Sequence, residues 1–279
     1  MNSVAVVIPT VAGREAALEL CLAAIRAQTH QPAEIVVVRN RPSYVSAIRE
    51  GIARTSAEWI AFLDDDAIPQ TDWLQTLASY FGDSSVGAVG GRILNFVGGR
   101  ASACNYSGGP VARVTWYGRT LSRLHDVPLK RIVEDVDFLP GANMCFRRAA
   151  LPRMDDRLDQ GMAPGYEMAL CLAARRGGWR VVFDSDALVT HYPAPRPPHL
   201  SREDRHRASY EYSYMVTYTL LRNLTGPRKL AFLAYFLLIG QRASPGLAFA
   251  PYYLLPGRSR ERFWAAWSGK LRGLRDSGA

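Results

Sequence analysis

Residues 59–66, WIAFLDDD, join five consecutive apolar residues to three aspartates. An apolar run of this length is typical of a strand that is buried on both faces of a sheet. Three adjacent carboxylates repel one another, so a cation is needed where the chain leaves the strand. In an extended backbone Asp64 and Asp66 point the same way and can share one Mg²⁺ or Mn²⁺ ion. The alternative interpretation is a solvated acidic turn that caps the next helix.

Strand-like and helix-like segments alternate around this stretch. Apolar runs predict buried strands at 4–8 and 35–38, and apolar residues at helical spacing predict helices at 14–27, 44–54 and 71–80. This order predicts an α/β fold with a mostly parallel central sheet flanked by helices. Further along the chain, the pattern predicts strands at 86–94, 138–146, 179–183 and 187–190 and a helix at 166–176.

A proline-rich break ends the region of alternating elements. Prolines at 193, 195, 197 and 198 each fix a backbone angle and remove a hydrogen-bond donor. We therefore predict one domain over 1–198 and a helical extension over 199–279, in which only helices are expected.

Positive charge is concentrated in the extension. The whole chain has a formal net charge of +9, and residues 201–279 hold 13 basic and five acidic residues, a charge of +8. A basic segment on a nearly neutral body favours contact with an anionic surface such as a membrane. We expect no nucleic-acid partner, because no zinc-finger or recognition-helix pattern is present.

Cysteine spacing and apolar runs indicate the compartment. The amino terminus has no signal-peptide pattern, so we expect a cytoplasmic protein. The longest apolar run, 230–239, is shorter than the roughly 20 residues of a membrane span, but it can lie peripherally on the inner face of the cell membrane. The alternative is that it packs against the domain or against a second subunit, in a homodimer. The spacing of the four cysteines fits neither a metal site nor a disulfide framework. We therefore expect reduced thiols at Cys21, Cys104, Cys145 and Cys171.

Six segments occur in a fixed order along about 1–192: VVIPT (6–10) with Arg14, EIVVV (34–38), WIAFLDDDAIP (59–69), PGANMCFRR (140–148), GYEMALCLAARRGGWRVV (165–182) and DALVTH (186–191). Together these segments resemble the family 2 glycosyltransferases. The resemblance implies a GT-A fold, which is Rossmann-like, and an inverting hexosyl transfer from a nucleotide-sugar donor to a glycan, lipid-linked or small-molecule acceptor. It also implies a donor-binding part over about 1–95 and an acceptor-binding part over about 96–192.

The resemblance also implies residues that bind the donor and its divalent cation. Arg39, followed by Asn40, stands where the family usually has an aspartate that contacts the nucleotide, and an arginine there can reach a phosphate or stack on a base. A lone histidine such as His191 is otherwise an ordinary hydrogen-bonded residue. The implied cation ligands for Mn²⁺ or Mg²⁺ are Asp64, Asp66 and His191. The implied nucleotide-sugar contacts are Pro9, Thr10, Arg14, Arg39, Asn40, Asp64 and Asp65.

Glu167 falls at the position of the family's catalytic aspartate. A glutamate can act as the general base that removes the acceptor's proton, although it is one methylene longer. The alternative is that Glu167 only stabilises the start of the helix. Asp155, Asp156 and Asp159 are reserve candidates for the base. The residues expected at the acceptor are Gly141, Ala142, Asn143 and Tyr166.

Two other functions remain open at this point. A sugar-phosphate nucleotidyltransferase also uses a sheet and a metal, but no Gly-rich loop with a lysine follows the first strand. A degenerate, non-catalytic binding module is favoured by Arg39 and Tyr166, and disfavoured by the intact Asp64 and Asp66.

Overall fold

The computed structural model describes residues 3–102, 106–126, 128, 130–159, 165–194 and 204–278. Within these residues the strands are Val4–Thr10 (β1), Glu34–Arg39 (β2), Trp59–Leu63 (β3), Ala67–Pro69 (β4), Val86–Val97 (β5), Arg100–Ala101 (β6), Ala112–Val114 (β7), Thr120–Ser122 (β8), Val133–Asp135 (β9), Asn143–Arg147 (β10), Arg180–His191 (β11), Gly240–Gln241 (β12) and Ser244–Pro245 (β13). The α-helices are Glu15–Arg26 (α1), Tyr44–Ala53 (α2), Trp73–Ala78 (α3), Tyr166–Arg176 (α4), Arg205–Asn223 (α5), Pro227–Leu238 (α6), Ala250–Leu254 (α7) and Arg260–Ser277 (α8). Short 3₁₀ turns lie at 148–150, 156–158 and 247–249.

One mixed sheet forms the centre of the molecule, in the strand order β2-β1-β3-β10-β5-β11-β4. Five of these seven strands run in the same direction, because β1 is parallel to β2 and β3, and β5 is parallel to β11. The strands β10 and β4 run the opposite way. The expected α/β fold with a mostly parallel sheet flanked by helices is confirmed. The separate strands predicted at 179–183 and 187–190 are one strand, β11, whose register against β5 shifts between Asp184 and Val189.

Apolar residues fill both faces of the sheet. Alternate residues of β1 enter different clusters, with Val6 and Ile8 on the side of α1 and α3, and Val7 on the side of α2 and α4. This two-sided burial explains why β1 is a continuous apolar run instead of an alternating one. Because both faces are covered, polar groups can reach solvent only at the strand ends.

A fully buried asparagine joins four elements at the centre of the sheet. The Oδ1 of Asn143, on β10, accepts a hydrogen bond from the indole of Trp73, on α3, at 2.8 Å. Its Nδ2 donates to the carbonyls of Arg92, on β5, and Ala187, on β11, at 3.0 and 2.7 Å. The structure therefore places this side chain in the core and corrects the expectation that Asn143 contacts an acceptor, because its amide is occupied inside the fold.

The helical extension shares the core of the sheet. Tyr214, Met215 and Tyr218 of α5 belong to the same buried cluster as Phe146 of β10. Helix α8 lies so close to α5 that a Cβ on Gly269 would come within 2.3 Å of a backbone oxygen. The expectation of helices alone is wrong, because the short strands β12 and β13 pair between α6 and α7. The predicted boundary at 198 lies outside the described residues.

Two sequence-based expectations about the environment can be compared with the structure. Cys21, Cys145 and Cys171 are buried free thiols, and Cys104 lies outside the described residues. No helix among the described residues is long and apolar enough to cross a membrane.

Replacing Asn143 with leucine is expected to lower the free energy of unfolding by about 3 kcal/mol, because one buried N–H and two buried carbonyls lose their partner. Equilibrium unfolding in urea measures this change. The matched control is Gln70→Leu at an exposed position, which should change the free energy by less than about 0.5 kcal/mol. Equal unfolding free energies for the two variants would contradict the structural role of Asn143.

Candidate active site at the end of strand β3

The three aspartates follow β3 at the carboxyl edge of the parallel strands. Asp65 and Asp66 are almost fully buried, with relative exposures of 1% and 2%, whereas Asp64 is partly exposed. Burial of carboxylates requires compensating partners, and each aspartate here has its own. The alternative interpretation of this stretch as a solvated acidic turn does not fit the burial of Asp65 and Asp66.

Arg14 and Thr10 neutralise the middle of the cluster. Arg14, at the start of α1, places Nη1 3.0 Å from Asp65 and also pairs through Nη2 with Asp66. The hydroxyl of Thr10, the last residue of β1, donates to Asp65 at 2.6 Å. Burial is the main reason that the pKa of Asp65 is raised to about 6, and the bond from Thr10 and the charge of Arg14 limit the rise.

His191, the last residue of β11, faces Asp66 across the cluster. Its Nε2 lies 3.1 Å from Oδ1 of Asp66, and the backbone N–H of Ala194 donates to Oδ2 at 2.9 Å. Burial by itself would raise the pKa of Asp66. The close approach of His191, the N–H of Ala194 and the charge of Arg14 outweigh burial and lower this pKa to about 2.

Asn95 of β5 fixes the ring of His191. Its Oδ1 lies 2.9 Å from Nδ1 of His191, and its Nδ2 lies 3.2 Å from Nδ1 of His125. With the amide assigned this way, Oδ1 is an acceptor, so Nδ1 of His191 carries a proton. The other ring nitrogen, Nε2, is then the one directed at Asp66. A hydrogen bond of this kind is the usual support for a metal-binding histidine.

Asp64, Asp66 and His191 fit a divalent cation. Each offers one ligand atom, and these atoms all lie within 4.8 Å of one another. Among the described residues, the buried Oδ1 of Asp66 accepts no hydrogen bond of normal geometry. Two carboxylates and an imidazole suit Mn²⁺, and the oxygens also suit Mg²⁺. The structure thus brings together the three residues that the sequence proposed as ligands.

A cleft that is open to solvent adjoins this cluster. Five of the seven residues expected at the donor line it, namely Pro9, Thr10, Arg14, Asp64 and Asp65. Arg39 and Asn40 do not line it. Arg39 is exposed, and Asn40 takes a left-handed backbone (φ 55°) and accepts a hydrogen bond from the N–H of Ala12 at 2.8 Å. Asn40 therefore ties the loops after β1 and β2 together, and the direct role of both residues in donor binding stays a prediction.

Sequence reasoning missed Tyr44, which lines the same cleft. Its hydroxyl donates to Oδ1 of Asp64 at 2.5 Å. Tyr44 is the first residue of α2, which begins at Ser43 with a capping box completed by Ser46. This cap could have indicated Tyr44 from the sequence. It starts α2 at the carboxyl edge of the sheet, so the first residue of the helix lies beside the aspartates.

A pair of tyrosines links this cleft to the expected acceptor side. The rings of Tyr44 and Tyr166 lie 5.2 Å apart, and Tyr166 donates a long hydrogen bond of 3.4 Å to the carbonyl of Gly141. A Cβ on Gly141 would lie 3.1 Å from the Tyr166 hydroxyl, so this close approach favours glycine. Burial, followed by the nearby charges of Glu167 and Asp64, raises the pKa of Tyr166 well above its usual value. Tyr166 is therefore close to both carboxylates.

Glu167 lies in the first turn of α4 and is partly exposed. Of the reserve candidates, Asp155 accepts hydrogen bonds from Tyr218 and from a backbone N–H, and Asp156 forms an ion pair with Arg49 at 2.8 Å. These two carboxylates have partners on α5 and α2. Which of these carboxylates acts as the base stays a prediction. Ala142 is buried in the turn beside Gly141.

A model of a protein family, glycosyltransferase like family 2, matches residues 3–211. The match continues past the predicted boundary at 198 into the first turns of α5. Among curated proteins, the Pre-mycofactocin glycosyltransferase of Mycobacterium tuberculosis (strain CDC 1551 / Oshkosh) is 29% identical over 146 residues. That match covers 52% of this chain but only 29% of the length of the relative.

Two solved structures share the architecture. TarS of S. aureus in complex with UDP-GlcNAc has a TM-score of 0.61 at 12% identity, and the similarity covers 98% of this chain and 81% of TarS. The mannosyltransferase PcManGT of Pyrobaculum calidifontis, in complex with GDP-Man and Mn²⁺, has a TM-score of 0.55 at 15% identity, covering 98% and 87% of the two chains. Similarity at these identities establishes the GT-A fold. Because the family model covers well over half of its residues, the chain belongs to glycosyltransferase-like family 2.

Proposed function

We propose that this protein is an inverting glycosyltransferase that moves a hexosyl group from a nucleotide-sugar donor to a hydroxyl of a glycan, lipid-linked or small-molecule acceptor. The observation that carries the proposal is the group of Asp64, Asp66 and His191 beside a cleft, with Glu167 near the opposite end of a tyrosine pair. Membership of the family and the nucleotide sugars bound by TarS and PcManGT support it.

The donor's nucleoside diphosphate occupies the cleft beside Pro9, Thr10 and Arg14. Its diphosphate lies next to the carboxylate cluster, where Asp64, Asp66 and His191 would hold Mn²⁺ or Mg²⁺. When bound there, the cation supplies positive charge that stabilises the departing diphosphate. Arg14 pairs with Asp65 and Asp66, so it reduces the negative charge that would repel an anionic ligand at this end of the cleft.

Glu167 accepts the proton of the acceptor hydroxyl. The acceptor oxygen forms a bond to the anomeric carbon of the sugar as the bond from that carbon to the diphosphate oxygen breaks. Attack from the face opposite the leaving group inverts the anomeric centre, and a single displacement needs only one general base. Tyr44 donates to Asp64 and packs on Tyr166, the residue that precedes Glu167, so the two tyrosines connect the carboxylates to the start of α4.

Asp66→Asn is expected to weaken Mn²⁺ binding by more than about 100-fold and to abolish sugar transfer, because an amide is a poor ligand in place of a carboxylate. Titration calorimetry with Mn²⁺ alone measures the first effect, and donor turnover measures the second. The matched control, Asp72→Asn, alters an exposed carboxylate at the start of α3 and should change neither. Wild-type turnover in excess EDTA that equals turnover with Mn²⁺ would refute a metal-dependent reaction.

Asn95→Leu is expected to weaken Mn²⁺ binding about 10-fold to 100-fold, because Nδ1 of His191 loses the acceptor that orients the ring. Asn95→Asp keeps an acceptor oxygen and should retain the affinity. Titration calorimetry compares the two variants with the wild type. If the leucine variant binds Mn²⁺ as tightly as the aspartate variant, the ring is held by other contacts and Asn95 has no part in the site.

Glu167→Gln is expected to lower kcat by about 10² to 10⁴ with little change in donor affinity, since glutamine keeps the shape but accepts no proton. Steady-state kinetics and donor titration separate the two quantities. Glu167→Asp retains a base one methylene further away and should fall between the wild type and the glutamine variant. Near-normal turnover of the glutamine variant would remove Glu167 from the mechanism. Donor binding without any turnover in the wild type would instead indicate a binding module.

A further inference from the structure

The clearest feature outside the active site is a set of exposed apolar side chains in the extension. They lie at the end of α6, in the 3₁₀ turn at 247–249, and in and just after α7. Each exposes between 45% and 54% of its surface. A cluster of this kind within one short stretch of chain marks an interaction surface, whereas scattered exposed residues are ordinary. We call these residues the apolar patch: Leu238, Ile239, Leu247, Phe249, Tyr252 and Leu255.

The patch is continuous and is supported from below. The N–H of Gly246 donates to the carbonyl of Ile239 at 2.8 Å, which joins the end of α6 to the start of the 3₁₀ turn. On α7, Tyr253 packs inward on the buried Phe263, with ring centroids 5.6 Å apart. Its neighbour Tyr252 is left on the exposed side, with the guanidinium of Arg258 lying 4.5 Å from its ring centroid.

A buried lysine fixes the base of the patch. Lys270 of α8 is fully buried, and its Nζ donates to the carbonyl of Pro245 at 3.0 Å and also to that of Phe236. These bonds tie α8 to the end of α6 and to β13. The patch is therefore presented on an ordered support and does not depend on a loose loop.

The charge along the chain through the patch has one sign. The sequence from Tyr212 to Arg260 contains six lysines and arginines and no aspartate or glutamate. Two of these cations, Arg242 and Arg258, are exposed within or directly beside the patch. The next carboxylate along the chain, Glu261, is exposed and lies 3.4 Å from His206. Apolar side chains next to exposed cations complement an anionic lipid surface, where tyrosine is also favoured at the boundary.

This surface differs from the one that the sequence suggested. The sequence suggested that the run 230–239 can lie in the membrane interface, but Phe232 and Phe236 are buried and stack on each other, with ring centroids 5.1 Å apart. These two side chains of α6 therefore belong to the core. Leu230, at the start of the run, is 71% exposed, and Leu238 and Ile239, at its end, are exposed beside the 3₁₀ turn.

We propose that the apolar patch docks on an anionic lipid bilayer, with Phe249 and Leu255 entering the boundary of the acyl chains and with Arg242 and Arg258 at the lipid phosphates. The docking would hold the enzyme beside a lipid-linked acceptor, and this consequence for the acceptor rests on the function proposed above. The docking itself requires no catalysis, so the two can be tested apart.

The experiment is sedimentation of the full chain with vesicles of phosphatidylcholine, with and without phosphatidylglycerol. The wild type should bind the anionic vesicles at low salt and be released at about 0.5 M salt, where charges are strongly screened. Phe249→Ser with Leu255→Ser should weaken binding at least about tenfold through lost apolar burial. Arg242→Gln with Arg258→Gln should weaken it about tenfold or more and reduce its salt dependence.

The matched control is Leu20→Ser, which removes an apolar side chain of 65% exposure on α1. It should bind vesicles like the wild type, and all variants should keep the thermal midpoint because every changed residue is exposed. Wild-type protein that ignores anionic vesicles at low salt would overturn the proposal. So would patch variants that bind vesicles normally but change from dimer to monomer in sedimentation equilibrium, since the patch would then face a second copy.

Donor hydrolysis without vesicles distinguishes this proposal from the catalytic one. The patch variants should hydrolyse the donor at the wild-type rate, because the patch contributes no residue to the cleft. Vesicle binding by a wild type that never turns over a nucleotide sugar would leave the docking intact and refute the proposed function. A wild type that turns over a nucleotide sugar but does not bind anionic vesicles would support the proposed function and overturn the docking.

Discussion

Three carboxylates at the end of a buried strand are the constraint that organises this molecule. Asp65 and Asp66 lie almost out of solvent, where an uncompensated charge is strongly unfavourable. Their compensation comes from the end of β1 through Thr10, from the start of α1 through Arg14, and from the end of β11 through His191. The cluster therefore requires three segments that are far apart in sequence, namely residues 10–14, 64–66 and the end of β11, to meet at one edge of the sheet.

The same constraint connects the two halves of the site. Tyr44 satisfies the remaining aspartate of the cluster, Asp64, and then packs on Tyr166. Tyr166 precedes Glu167 in the first turn of α4 and approaches the backbone at Gly141 so closely that a side chain there would be tight. The two halves of the site are thus in contact through two packed rings.

Local sequence patterns were enough to predict most of the fold and part of the site. Strand β3 and helix α4 have the bounds that the sequence predicted, because their apolar periodicity is set by neighbours in the chain. Asp64 and Asp66 could be proposed as cation ligands from their spacing at the end of a strand, whereas the resemblance to the family implied His191. Three features could not be predicted: the direction of β10, the burial of the amide of Asn143 and the support of His191 by Asn95. Each depends on partners many residues away in the chain, in a register that no local pattern specifies.

The helical extension packs against the helix that contains Glu167. Tyr218 of α5 donates to Asp155, in the loop that leads towards α4, and Arg176 at the end of α4 donates to the carbonyl of Arg222 at 2.6 Å. Helix α4 is thus braced by α5, and α5 packs closely on α8, whose Lys270 fixes the support of the apolar patch. Because these contacts are made by rigid helices, a surface held by the patch also fixes the direction in which the cleft and Glu167 face. The orientation of the enzyme on a surface and the position of its expected base are therefore set by the same helices.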